Sequence, residues 1–223
     1  MALSTASSQP TNAVSETWDK PAANKTTFTG PDGSCPWNGN GSDPDTYVRK
    51  NRSDIPDISE IHDVLWSAVH DLPFPDDKPL RANWSPEHLQ EIARYEGEAV
   101  RTISYLVAIK PQNGHGEGTN CGFTLSSETD THLALVGEVG DAEKNSVVIE
   151  FTPRFLKSHP HWTKASLSKY LDTDAPVRIT GWLMFDPDHR NHLGKFRFTL
   201  WEIHPITKIE VFEDNTWKDL DAL

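Results

Sequence analysis

The sequence predicts a mainly β protein: a five-stranded OB-like barrel, preceded by a helical pair and a long irregular arm. Three observations carry this. From residue 98 onward, apolar residues recur with the strand period of two, in runs ordered β, β, β, α, β, β. That order, with a helix between the third and fourth strands, is the order of the OB-fold, a partly open Greek-key barrel. A glycine, Gly181, interrupts the long apolar run at 177–185, where a barrel strand has to bend tightly. The first 56 residues are rich in Ser, Thr, Asn, Pro, Gly and Asp and have no apolar period.

The elements divide the chain into an arm (1–56), a helical segment (57–97), a barrel (98–215) and a C-terminal tail (216–223). In the arm, Trp18, Phe28, Trp37 and Tyr47 are the large residues able to dock on a body. Ile58, Ile61, Val64, Leu65, Ala68, Val69 and Leu72 recur at helical spacing, with Asp57 or Ser59 as cap and Pro73 as stop. A second helix begins at Ser85-Pro86, N-cap and first position, and ends before Gly97. Ile103, Tyr105, Val107 and Ile109 alternate along the first strand, so Ile103, Tyr105 and Val107 are expected to face the core. The short run at 121–125 is expected to be an accessory ribbon. Strands are expected at 132–136 and 147–151, a helix at 163–171, and strands at 177–185 and 198–212, the last interrupted at Pro205. An SH3-like barrel is the structural rival; the helix before the last two strands favours OB.

Composition narrows the function classes. The chain has 223 residues, 36% of them hydrophobic, and a formal net charge of -12. Acidic residues outnumber basic ones on both sides of residue 97, which excludes a non-specific DNA coat with its basic footprint. No stretch approaches the length of an apolar membrane span, and the first residues lack the pattern of a secretory signal. The expectation is a cytoplasmic protein without a membrane partner. Two cysteines, Cys35 and Cys121, exclude a four-cysteine zinc site. In such a chain they are expected to be free thiols.

Charged residues interrupt the apolar strands. Glu202 and His204 share one strand face, opposite Trp201 and Ile203; Glu150 opposes Ile149 and Phe151. Asp130, His132, Asp186 and His189 lie at strand ends. A carboxylate in such a place needs a partner. The set His132, Glu150, Asp186, His189, Glu202 and His204 is the candidate for a divalent metal, since imidazole plus carboxylate suits such ions. The same set suits acid–base work, or it braces strand ends and nothing more. No H-E-x-x-H signature accompanies it.

The loop before the last strand mixes cations and aromatics. Trp182, His189, Arg190, Lys195, Arg197 and Trp201 are the candidate ligand-binding residues there, suited to a single nucleic-acid strand or another anionic ligand. The alternative is a solvated hairpin with core aromatics.

Four stretches carry a resemblance: Asp130-Thr131-His132-Leu133-Ala134-Leu135; Val148-Ile149-Glu150-Phe151-Thr152-Pro153-Arg154; Thr180-Gly181-Trp182-Leu183-Met184-Phe185-Asp186-Pro187-Asp188-His189; and Leu200-Trp201-Glu202-Ile203-His204-Pro205-Ile206-Thr207-Lys208-Ile209-Glu210-Val211. In these the chain resembles a group of bacterial proteins with an OB-like domain and no established activity. The resemblance spans about residues 95–215, with an echo in the arm at Arg49-Lys50-Asn51-Arg52-Ser53-Asp54. It implies the fold and points to these residues, and it implies no reaction. The function expected is a binding module. Its rivals are a metal-dependent hydrolase using the His/carboxylate set, without an assigned catalytic residue, and an assembly subunit that self-associates through the arm.

Overall fold

The structure, a computed structural model, describes residues 35–55, 57–76, 80–111 and 116–223. Trp18 and Phe28 lie outside the described residues. Five strands close a barrel: β2 (Ala99–Pro111), β3 (Thr131–Val136), β4 (Val147–Phe151), β5 (Val177–Phe185) and β6 (Trp201–Glu213). β2 pairs antiparallel with β3 and with β5, β3 with β4, and β5 with β6, while β4 and β6 pair in parallel. This is the OB-like closure: the first strand pairs with the fourth, and the third with the fifth. A two-residue strand, β1 (His62–Asp63), lies parallel on β2, and β7 (Thr216–Asp219) pairs with β6.

The inward faces follow the strand period. Leu133, Leu135, Ile149, Phe151, Ile179, Leu183 and Ile203 are all buried in one core cluster. In β2 the expected parity is reversed. Ile103 is 51% exposed, Tyr105 and Val107 are half-buried, and Val100, Thr102, Ser104 and Leu106 are buried instead. A register shift between Leu106 and Ala108 then turns Ile109 inward. The longer apolar side chains of β2 misled the alternation because two inward positions are Thr and Ser. Gly181 sits where the β5–β6 register shifts. A Cβ there would lie 2.6 Å from the Pro205 carbonyl oxygen and 2.7 Å from Ile203 Cγ2. The close approach, more than backbone freedom, requires glycine. The same irregularity accommodates Pro205 within a continuous β6, so the expected break does not occur.

The outer elements depart further from expectation. Residues 58–72 form a 3-10 turn (Ile58–Glu60), β1 and a short α2 (Trp66–His70) in place of one helix, with Ile58 and Leu65 exposed. α3 (Pro86–Ile92) begins as read, with Ser85 accepting from the His88 N–H. The 121–125 run has no strand. Between β4 and β5 lie two short helices, α4 (Pro153–Ser158) and α5 (Lys164–Leu167), the second capped by Thr163. The tail is not a tail: Asp214 and Asn215, both at positive φ, turn the chain back so that β7 pairs with β6. Nor is the arm wholly irregular, because Pro44–Lys50 forms α1, capped by Asp43.

Cys35 and Cys121 are disulfide-bonded, with Cα atoms 5.6 Å apart, in place of the expected free thiols. The arm lies against the β2–β3 loop here. The Asn40 N–H donates to the Gly118 carbonyl at 3.0 Å, and Asn40 Nδ2 to the Cys121 carbonyl at 3.2 Å. Among the described residues no helix is long and apolar enough to cross a membrane.

Truncating Leu135 to Ala is expected to cost about 2–5 kcal/mol, because a buried methyl-rich side chain leaves a cavity. Ile103→Ala, on the exposed face, is expected to change stability by no more than about 0.5 kcal/mol. Urea unfolding of both variants checks the observed β2 parity.

Candidate metal centre

Strand register assembles the site. His132 pairs with Glu150 across β3 and β4, and the parallel β4–β6 register sets Val148 beside Glu202 and Ile149 beside Ile203. The next residues in step are Glu150 and His204. Because Ile149 and Ile203 point into the core, His132, Glu150, Glu202 and His204 all share the face turned away from it. Asp130 stands just ahead of β3, and Asp186 just past β5. All four carboxylates and His204 are fully buried.

What buries them is the arm and the two flanking loops. Arg49 in α1 reaches Glu96 Oε2 at 3.0 Å, and Arg81 bonds both Glu96 oxygens. Glu96 Oε1 also accepts from the Phe185 N–H at 2.9 Å. This buried carboxylate therefore joins α1 to the end of β5. One residue on in each chain segment, Lys50 Nζ lies 3.3 Å from Asp186 Oδ2 and 3.9 Å from Glu117 Oε2. From the loop before β6, the guanidinium of Arg197 donates to Glu202 Oε1. From the β2–β3 loop, Asn120 Nδ2 donates to Asp130 Oδ1 at 3.1 Å.

The imidazole contacts fall into two kinds. His132 Nε2 lies 2.8 Å from Glu150 Oε1, and His189 Nδ1 lies 2.8 Å from Asp186 Oδ2. Both have the separation of a charge-assisted hydrogen bond, about 2.7–2.9 Å, but only the His189–Asp186 pair has its geometry; neither oxygen of Glu150 makes a hydrogen bond of ordinary geometry. His204 differs. Its Nδ1 is 3.2 Å from Glu150 Oε2 and 3.5 Å from Glu202 Oε2, and its Nε2 is 3.5 Å from Asp130 Oδ2. Neither ring nitrogen makes a hydrogen bond of ordinary geometry, nor do Asp130 Oδ2 and Glu202 Oε2. Ligands about 2.0–2.1 Å from a tetrahedral zinc stand about 3.3–3.4 Å from one another. The His204 separations are longer than charge-assisted hydrogen bonds, but they belong to two ring nitrogens: Nδ1 faces Glu150 and Glu202, and Nε2 faces Asp130. Ligand atoms of Asp130, Glu150 and His204 all lie within 4.8 Å of one another; those of Asp186, His189 and Glu202 do the same.

The electrostatics are those of a buried, compensated cluster. Burial opposes the charge on His204, but Glu150 foremost raises its pKa to about 10. Burial likewise opposes His189, and Asp186 raises it to about 9. Burial pushes Asp130 up to about 6, helped by Glu117 and Glu150 and opposed by His204. Asp186 and Glu150 go the other way. Burial would raise them, but Lys50 and His189 hold Asp186, and His132 and His204 hold Glu150, well below the ordinary carboxylate range.

Of the six residues read as a metal set, Glu150 and His204 group with Asp130, which that set did not include, and Asp186, His189 and Glu202 form a second group; His132 contacts Glu150 but belongs to neither. The loop residues read as a ligand groove are placed differently. Trp201 is buried in the core and donates Nε1 to the Pro73 carbonyl; Trp182 is buried, donates to the Ser53 carbonyl and lies under Arg52. Arg197 is buried on Glu202, and Arg190 bonds Asp76 and the Pro75 carbonyl. Lys195 is exposed and donates to the Asn191 carbonyl. Sequence reasoning left Lys50, Asn120 and Glu117 outside the site. The Arg49-Lys50-Asn51-Arg52 stretch in the arm was the available signal for Lys50.

No family model, curated protein or solved structure matches the chain.

The raised pKa of His189 has a sign that can be checked in chelator-treated protein. Its ion pair stabilises the fold fully below the unfolded value of about 6.5, and that contribution is lost as pH rises through about 9. Thermal melts across this range are expected to show a decline that His189→Gln flattens.

Proposed function

We propose that the chain is an OB-like binding module whose ligand is one divalent metal ion. The ion is held by Asp130, Glu150 and His204 on the outer face of β3, β4 and β6. The observation that carries this reading is the carboxylate nest around His204: fully buried, with ligand atoms of Asp130, Glu150 and His204 within 4.8 Å of one another, and without hydrogen bonds to the ring nitrogens. Two carboxylates and an imidazole suit a borderline ion of the zinc or manganese kind. Glu202 Oε2 stands beside the set, with Arg197 orienting the other oxygen of that carboxylate, and Asn120 orients Asp130 in the same way. Three protein ligands leave a fourth position on the ion open; it is the full burial of all three that favours a binding role over turnover of a substrate.

The nucleic-acid reading draws less support. It rested on Trp182, His189, Arg190, Lys195, Arg197 and Trp201; Arg190 is held by Asp76, Arg197 by Glu202, His189 by Asp186 and Trp182 by the Ser53 carbonyl, Trp201 lies in the core, and Lys195 alone of the six is exposed. Self-assembly through the arm is likewise not favoured for residues 35–55, which lie on their own barrel. The Cys35–Cys121 bond favours an oxidising compartment over the cytoplasm.

Elemental analysis and calorimetry of the purified protein are expected to give one tightly bound ion per chain, with proton release on binding. Removing the ion with a chelator is expected to lower the melting temperature. Glu150→Gln, which keeps the shape and drops the charge, is expected to weaken binding by at least roughly 10–100-fold, the loss typical even of residues that only support metal ligands. Absence of any bound ion in the wild type, with Glu150→Gln less stable than the wild type, would leave only a bracing role.

A further inference from the structure

Two groups of potential ligands adjoin on the outer face, yet they differ in what they already hold. Around His204 the nearest cation is the imidazole itself. Around Asp186, His189 and Glu202 the structure supplies two permanent cations. Arg197 takes Glu202 Oε1. Lys50 Nζ, 3.3 Å from Asp186 Oδ2, enters from α1 on the arm, and its side chain is only 4% exposed. The remaining oxygen of Asp186 accepts the Asp188 N–H at 2.8 Å. Glu202 Oε2 is buried and makes no hydrogen bond. The second group therefore has ligand atoms within 4.8 Å of one another and one oxygen without a donor. Its Asp186 Oδ2 already has two partners, His189 Nδ1 at 2.8 Å and the Lys50 ammonium at 3.3 Å.

We infer that Lys50 is a tethered cation filling the second of two adjoining cation positions, and that it fixes the ion stoichiometry at one. Without the Lys50 charge, Asp186, His189 and Glu202 form a second site for a divalent transition metal. The inference relies on the proposed function only for the first ion; the second position is argued from its own residues. It has a structural corollary. Lys50 is the last residue of α1, and Arg49 and the disulfide hold the arm independently of it, so it is the Lys50–Asp186 contact, not docking of the arm, that a metal in the second position excludes.

The test uses the full chain and Co²⁺, whose absorption reports its coordination, with stoichiometry read by elemental analysis after desalting. Lys50→Met keeps the length and removes the charge. The expected result is one ion in the wild type and two in Lys50→Met, and a return to one in Lys50→Met/Asp186→Asn. One ion in both wild type and Lys50→Met overturns the inference and leaves the proposed function standing. None in the wild type and one in Lys50→Met overturns the proposed function and supports the inference. Two in the wild type overturns it, because Lys50 then blocks nothing. If Lys50→Met does not fold in the absence of metal, the inference requires that Co²⁺ restore the fold and that Na⁺ at equal ionic strength not do so; failure of that rescue also overturns it.

Discussion

A buried carboxylate must be given a counter-charge, and this fold buries Asp130, Glu150, Asp186 and Glu202 together on one barrel face. The rest of the molecule is arranged around that demand. The arm contributes Lys50, the loop before β6 contributes Arg197, β3 contributes His132, and the turn after β5 contributes His189. Removing one partner of such a pair is far more costly than the pair is stabilising, because it leaves an unpaired charge in a dry place. The parts of the chain least able to form a core are thus held by electrostatics that the core strands impose.

Glu96 is the second instance of the same rule. It is buried, which opposes its charge, yet Arg81 and Arg49 hold its pKa below the usual carboxylate value. The same side chain accepts the Phe185 N–H, so it sets the arm, the segment before β2 and the end of β5 in one frame. That frame is what delivers Lys50 to Asp186, one position further along both segments. Placing a metal ligand set within a few tenths of an ångström depends on supports of this kind.

Much of this could be read from residue order. Strict alternation through Ile149-Glu150-Phe151 and Trp201-Glu202-Ile203-His204 fixes which side chains share a face, and Gly181 marked a special place in β5, though as a bend and not as the close approach to β6 that it is. The pairing of β4 with β6 is what turns those two local patterns into one site, and it follows from the OB closure. Other features resist such reading. In β2 the inward residues include Thr102 and Ser104, so hydrophobicity alone points to the wrong face. The apolar spacing through residues 58–72 is helical, but two of its members, Ile58 and Leu65, find nothing to pack against. Lys50 lies in a turn-rich arm where its basic stretch, Arg49-Lys50-Asn51-Arg52, marks the place but not the buried partner. The pairing of Cys35 with Cys121 depends on where the arm lies, which is a tertiary fact.

That disulfide changes what competition means for the arm. It anchors the chain a short way before α1, so the Lys50 ammonium never diffuses into bulk solvent when its contact opens. A free ion seeking Asp186 faces a rival whose effective concentration is on the order of millimolar, the range for short flexible tethers. Ions at micromolar free concentration are then excluded from that position unless they bind it far more strongly than an ammonium does. Selectivity between the two adjoining positions comes from the covalent path of the chain as well as from the ligands themselves.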